Sequence, residues 1–220
     1  MTGCIYISEN DRKIVTIKMY QMFFFLQKVK LHLYWFIEHN FQLFIFTIKC
    51  AICPSIRLGS HTKLLGQPYV DVIAGGSIEI GDNCEFLSKE TSNRMGLNHR
   101  CMFSAIPAYP NTTARLVIGN NCGFSGIAIW AAREIIIGNN VRIGANTLIM
   151  DGDAHYDDPR TAPPAPIHIE DDVFIGANCV VKKGVTIGRG AVIGMNSVVT
   201  KDIPANCVAV GIPCKVIKQL

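Results

Sequence analysis

The sequence predicts an all-β solenoid, with parallel strands coiled around a three-sided core, and three observations carry that prediction. Ile169, Ile175, Val181, Ile187, Ile193 and Val199 recur six residues apart without a slip. Four residues after each comes a second register of small or β-branched side chains: Val173, Cys179, Val185, Ala191, Ser197 and Ile203. Between them stand mostly Gly, Asn, Asp, Arg and Lys, as in Ile175-Gly176-Ala177-Asn178 and Ile187-Gly188-Arg189-Gly190. A strict period of six fits neither an α-helix near 3.6 residues per turn nor a simple run of hairpins. It fits a chain that turns a corner every six residues and sends one aliphatic side chain inward per flat face, three faces closing one coil. The small register then belongs near the corners, where larger side chains would overpack.

Composition agrees with one such domain and a small appendage. The chain has 220 residues, 49% of them hydrophobic and only 17% charged. So few charges predict that some of the surface is buried between subunits. The net charge of +4 is mild. With no basic block and no zinc-finger spacing, it argues against nucleic-acid binding. Nine cysteines stand in a sequence without a secretory signal pattern, which predicts a reducing, cytoplasmic setting. Cys84, Cys122 and Cys179 share one repeat slot, so they read as small buried hydrophobes and not as a disulfide framework. Cys50-Ala51-Ile52-Cys53 is a lone C-x-x-C with no second pair.

In chain order, residues 1–18 read as a tail and residues 19–60 as an N-terminal helical segment. Met22, Leu26, Val29, Leu33 and Phe36 are at helical spacing, which predicts one or two helices. Lys28, Lys30, His32, Glu38 and Lys49 interrupt the apolar runs before the roughly 18–20 residues that a membrane span needs. Residues 19–52 therefore serve either as an amphipathic cap on the solenoid end or a neighbouring subunit, or as a peripheral membrane contact with Lys28 and Lys30 near anionic lipid. The β-helix occupies residues 61–207, in about seven coils, with excursions at 87–117 and 151–166. Residues 208–220 form a C-terminal tail after the pattern ends.

A solenoid is a scaffold, so chemistry is expected where the pattern breaks. The excursion richest in reactive groups reads Met150-Asp151-Gly152-Asp153-Ala154-His155-Tyr156-Asp157-Asp158-Pro159-Arg160. His155 can take a proton near neutral pH, and Asp153 or Asp151 can orient its ring and stabilise the imidazolium. With no Gly-x-Ser-x-Gly elbow and no cysteine in the break, a covalent nucleophile is not indicated. A base without a nucleophile suits direct attack of a bound hydroxyl or amine on an activated acyl group. The other reading of the same residues is a hydrated Asp-rich turn or a metal loop, although a single His lacks the paired ligands of a metal site.

The hexads, the Asp153-x-His155 excursion and the run from Ile187-Gly188 through Ser197-Val198-Val199-Thr200-Lys201-Asp202-Ile203-Pro204 to Gly211-Ile212-Pro213-Cys214-Lys215 resemble the hexapeptide-repeat acyltransferases. The resemblance covers about residues 64–218 and is nearest to the galactoside, maltose and polysaccharide O-acetyltransferase branch. It implies a left-handed parallel β-helix, where general rules alone favour right-handed crossovers. It also implies a homotrimer with a cleft between neighbouring prisms, and acetyl-CoA as cosubstrate with no metal. His155 matches the general base, with Asp153 beside it. Phe174 stands where many relatives have Trp. Ala177 and Met195 match positions along the pantetheine arm, and Thr200, Lys201 and Lys215 match positions near the CoA phosphates. Asn98, His99 and Arg160 are acceptor-contacting candidates, the first two reaching the cleft from a neighbouring subunit. Gly123-Phe124-Ser125-Gly126-Ile127 replaces the stretch that carries an Asn in sugar-acetylating members. His32, His39, His61 and His168 read as structural. The expected function is O-acetylation of a sugar or glycan precursor of capsule or O-antigen type. Acetylation of an antibiotic or amino-sugar nitrogen is the alternative, and a non-catalytic or metal-binding β-helix using His99 and His155 is the alternative of another class.

Overall fold

The computed structural model describes residues 9–220, so the first eight residues of the expected tail lie outside it. One helix, α1, runs from Glu9 to Ile52, taking in the rest of that tail and most of the expected helical segment. The chain divides into two units, residues 1–40 and 41–220. In the first, the described side chains of α1 leave large apolar groups in solvent, with Phe25 65% and Phe36 67% exposed. The side chain of His32 lies outside the described residues. No helix among the described residues is long and apolar enough to cross a membrane.

In the second unit the end of α1 joins the β-core. Phe46 is fully buried and Cys50 nearly so, with Leu43 packed beside them. Gln67 donates its side-chain amide to the Gln42 carbonyl at 2.6 Å. These residues cover the open strand edges of the first coil, which otherwise invite pairing with another chain.

Three parallel sheets make the faces of the prism. The first face runs from the strand Ile56–Leu58 to Thr186–Ile187. The second runs from Lys63–Leu65 to Cys207–Val210 and closes with Lys215–Gln219, the antiparallel strand of the tail. The third runs from Tyr69–Val72 to Val198–Val199. First and third faces hold six strands each, so six coils are complete. A partial seventh rests on the Ile203 bridge to Ile187 and the strand Cys207–Val210.

Both registers read from the sequence point inward. Ile169, Ile175, Val181, Ile187, Ile193 and Val199 are at most 1% exposed, and Val173, Cys179, Val185, Ala191 and Ser197 equally so. Each buried aliphatic contributes roughly 1.5–3 kcal/mol. Polar side chains stitch the first-to-second edge. Asp82 accepts from the Ser60 amide at 2.6 Å, Asn120 from the Asp82 amide at 2.8 Å, Asn139 from the Asn120 amide at 2.9 Å, and Asp171 from the Asn139 amide at 2.7 Å. One residue on, Asn83, Asn121, Asn140 and Asp172 hold positive φ near 60°, a conformation that Asn and Asp tolerate better than most side chains.

Within the expected excursion at 87–117 two loops flank a strand, and residues 114–117 already belong to the first-face strand Ala114–Ile118. Met102–Ala105 lies on the third face between Tyr69–Val72 and Ala128–Ala131, with Phe103 and Ala105 fully buried. The Phe103 ring meets Phe86 edge-on at 5.0 Å. The hexad is lost there because a loop precedes the strand and another follows it, while the inward alternation Cys101-x-Phe103-x-Ala105 persists.

Candidate active site

The coil geometry sorts the sequence-predicted site residues onto two edges of the prism. The loop of residues 88–101 leaves the second-to-third edge, where Leu97 packs on Ala145 and Ala177 and the Asn98 amide donates to the Asn146 side chain at 2.8 Å. Asn98 is exposed and His99 half-buried, with His99 Nδ1 2.9 Å from the Arg100 carbonyl. Met195 is exposed on this same edge, and Phe174 stands on the adjoining second face, 49% exposed. There Gly176 brings coils together: a Cβ on it would lie 2.5 Å from the Met195 nitrogen. Phe174 also borders a shallow groove of about 280 Å³ with Phe124, Ser125 and Arg142.

The third-to-first edge carries the His155 loop. Two coils further on it carries Thr200 and Lys201, both exposed. Lys182 lies between them. Lys182 and Lys201 are exposed on this edge, Lys215 is exposed on the closing strand of the second face, and none of the three is in an ion pair among the described residues. Fixed positive charge without a protein partner suits phosphate groups. Asn98 and His99 thus do not meet His155 within one chain, nor do Ala177 and Met195. A cleft containing both sets needs two copies placed edge to edge.

The loop of residues 151–166 is anchored by two carboxylates, neither of which orients His155. Asp151 is fully buried and accepts the backbone amides of Ala132 at 2.6 Å, Arg133 at 2.9 Å and Glu134 at 2.6 Å. Burial pushes its carboxyl up, opposed by these three donors. Asp153 pairs with the Lys183 ammonium, which also donates to the Ala162 carbonyl at 2.6 Å. One lysine therefore ties both limbs of the loop together. This corrects the expectation that Asp153 or Asp151 partners the histidine: each is satisfied by a nearer donor that the sequence did not place beside it. The carboxylate that feels His155 is Asp158, held below its ordinary range first by Arg160 and to a smaller extent by His155. Arg160, in turn, is committed to Asp158 through two guanidinium nitrogens.

His155 is exposed, and among the described residues its ring makes no hydrogen bond or ion pair. Its carbonyl accepts from the Asp158 amide at 3.1 Å and the Thr161 hydroxyl at 2.7 Å. These bonds fix the backbone and leave the ring open to a substrate. The next residue, Tyr156, packs against Tyr109 at 5.3 Å and Trp130 at 6.3 Å between ring centres. Its hydroxyl sits over Gly152, where an added Cβ would lie 2.3 Å from the oxygen. Burial, and then the charge of Asp151, push the phenol up to about 12. Sequence reasoning missed Tyr109, Trp130, Tyr156, Lys182 and Lys183. Counting sixes from Phe124 sets Trp130 in the inward slot, whereas Ile129 takes that slot and Trp130 lies on the outward side beside Met150. The Tyr109 loop had no legible signal, because its neighbour across the edge lies in a distant stretch of chain.

The cysteines of the repeat slot are free and buried. Cys50 is pushed up to about 11, by burial first and by Cys53 second. No group of three His, Cys, Asp or Glu among the described residues is placed to hold a metal.

A family model described as the hexapeptide repeat of succinyl-transferase matches residues 134–152 and 166–201. Both matched stretches lie within the three-sheet coil. A curated relative, the 2,3,4,5-tetrahydropyridine-2,6-dicarboxylate N-acetyltransferase of Staphylococcus aureus (strain Newman), is 46% identical over 81 residues, 37% of this chain and 31% of that one. The chain spans about a third to a half of the length of the curated relatives it matches. Among solved structures, a hexapeptide-repeat containing acetyltransferase from Vibrio cholerae complexed with acetyl coenzyme A is 34% identical, covers 47% of this chain and 60% of that one, and has a TM-score of 0.43. A galactoside acetyltransferase in complex with coenzyme A is 29% identical, covers 75% and 64%, and has a TM-score of 0.46.

Proposed function

We propose that this protein is an acetyl-CoA-dependent O-acetyltransferase acting on a hydroxyl of a sugar or glycan precursor, with His155 as general base. The observation that carries the reading is His155 itself: an imidazole whose ring makes no hydrogen bond or ion pair among the described residues, held open on a braced loop. It shares one prism edge with Lys182 and Lys201, which are in no ion pair among the described residues. The matched S. aureus relative, named an N-acetyltransferase, supports the acyl chemistry and keeps an amine acceptor as a second reading.

In the proposed reaction the acceptor hydroxyl binds beside His155 and the thioester lies along the two edges of neighbouring copies. His155 takes the hydroxyl proton as the oxygen attacks the thioester carbonyl. The C–O bond forms, the C–S bond breaks, and the imidazolium returns its proton to the departing thiolate. The base accounts for roughly 10²–10⁴ in rate, and fixed placement of hydroxyl and thioester for much of the remainder. On the CoA side, Thr200 and Lys201 of one copy and Lys215 of the adjoining copy receive the phosphates. Ala177 and Met195 of the adjoining copy line the pantetheine arm, with Phe174 on the neighbouring face. Asn98 and His99 of that copy approach the acceptor, and Asp153 acts through the loop it anchors. The assembly is a homotrimer.

Incubation with acetyl-CoA and a panel of sugars, following thiol release, tests the reading. His155→Ala is expected to lower kcat by about 10²–10⁴ while CoA still raises the melting temperature. CoA at 100 times its Kd is expected to stabilise the protein by about 2.7 kcal/mol. Undiminished turnover in the variant, or no response to CoA, contradicts the proposal.

A further inference from the structure

A pocket of about 390 Å³ opens on the third-to-first edge, on the N-terminal side of the His155 loop. Tyr109, Asn111 and Thr113 form one wall, Pro163 and Pro164 the other, and Arg133 lies between them. Both walls belong to segments already tied to His155. Tyr109 packs on Tyr156, the residue after the histidine, and the two prolines belong to the same loop.

Arg133 is exposed and has no ion-pair partner among the described residues. Its neighbours account for their own charges. Glu134 faces Arg115 at 3.9 Å and His168 at 3.6 Å, and Asp151 spends its oxygens on backbone amides below. Arg133 thus brings a cation, in no ion pair among the described residues, to a concave site that Asn111 and Thr113 also line. Planar guanidinium groups bind carboxylates and phosphates through two parallel hydrogen bonds. Such an anion does not belong to the cosubstrate, because the lysines assigned to the CoA phosphates lie on the opposite, C-terminal side of the His155 loop.

We infer that this pocket binds an anionic group of the acceptor, so that the preferred acceptor is an acidic or phosphorylated sugar with its reacting hydroxyl presented to His155. The inference rests on the acetyl-transfer reading for the identity of its ligand, but the pocket can be tested apart from catalysis. Titration calorimetry with inorganic phosphate and, separately, with glucuronate distinguishes a phosphate site from a carboxylate site. Binding of either that weakens roughly tenfold in Arg133→Met, and less in Arg133→Lys, supports the inference. No binding, or binding indifferent to both substitutions, overturns it. The circular dichroism melting temperature of each variant confirms that it is folded. Acetyl transfer then gives a second readout. The ratio of kcat/KM for an anionic sugar to that for its neutral counterpart is expected to fall about tenfold in Arg133→Met, and an unchanged ratio overturns the assignment. Arginine-dependent anion binding without transfer to any acceptor would overturn the acetyltransferase reading and leave the anion site standing.

Discussion

At the scale of single residues, the site depends on which carboxylate meets which donor. Lys183 holds Asp153 and the Ala162 carbonyl, so Lys183→Met is expected to loosen the His155 loop and lower kcat/KM about tenfold, since small displacements of a reacting group are costly. Steady-state kinetics, with the melting temperature as a control for global stability, checks this. Gly152→Ala places a methyl group against the Tyr156 oxygen and is expected to act in the same direction. Cys50 gives a prediction with a definite sign. Its thiol is raised in the folded protein, so the unfolded chain ionises first as pH rises. Stability is therefore full below about pH 9 and declines between about 9 and 11. Denaturant midpoints measured across that range should fall, and a Cys50→Ala variant should show less of the decline. His155 was legible in the sequence because a histidine in a broken repeat stands out against the hexads. Its surroundings were not: spacing along the chain placed Asp153 near it, whereas packing across coils gave Asp153 to Lys183.

At the scale of elements, the coil is a stack of interchangeable layers, and a substitution's cost follows the face on which it falls. Ile187→Ala empties a fully buried slot and is expected to cost about 2–5 kcal/mol. Val192→Ala, on the outward side of the next strand, should cost less than about 1 kcal/mol. Urea denaturation of both variants separates the two cases. The inward registers were readable because a period of six leaves no freedom of phase, and one slip would turn every aliphatic outward. The strand Met102–Ala105 was not, since flanking loops hide a four-residue element from any search for sixes. The helix was readable only in type. Its end packs on the first coil through Phe46, while Phe25 and Phe36 stay in solvent. We expect that apolar surface to meet a second copy. Phe25→Asp with Phe36→Asp should then weaken self-association in sedimentation velocity, whereas binding of the unaltered protein to anionic vesicles would favour the membrane instead.

At the scale of the whole molecule, function follows from which edges of the prism meet. One edge carries His155, Lys182 and Lys201, and another carries the Asn98–His99 loop, Ala177 and Met195. No arrangement within a single chain unites them, so the proposed site exists only between copies. A cyclic assembly supplies that contact once per copy, and each site takes one edge from each of two subunits. Complementation between defective subunits tests this directly. His155→Ala damages one edge, and Met195→Glu sets a negative charge on the other, so each variant alone should be nearly inactive. When the two are co-expressed and assemble at random, about a quarter of the interfaces join two undamaged edges. Acetyl transfer by the purified mixture should then recover to about a quarter of the unaltered level. A mixture no more active than either parent, in assemblies shown to contain both, would contradict a site shared between subunits.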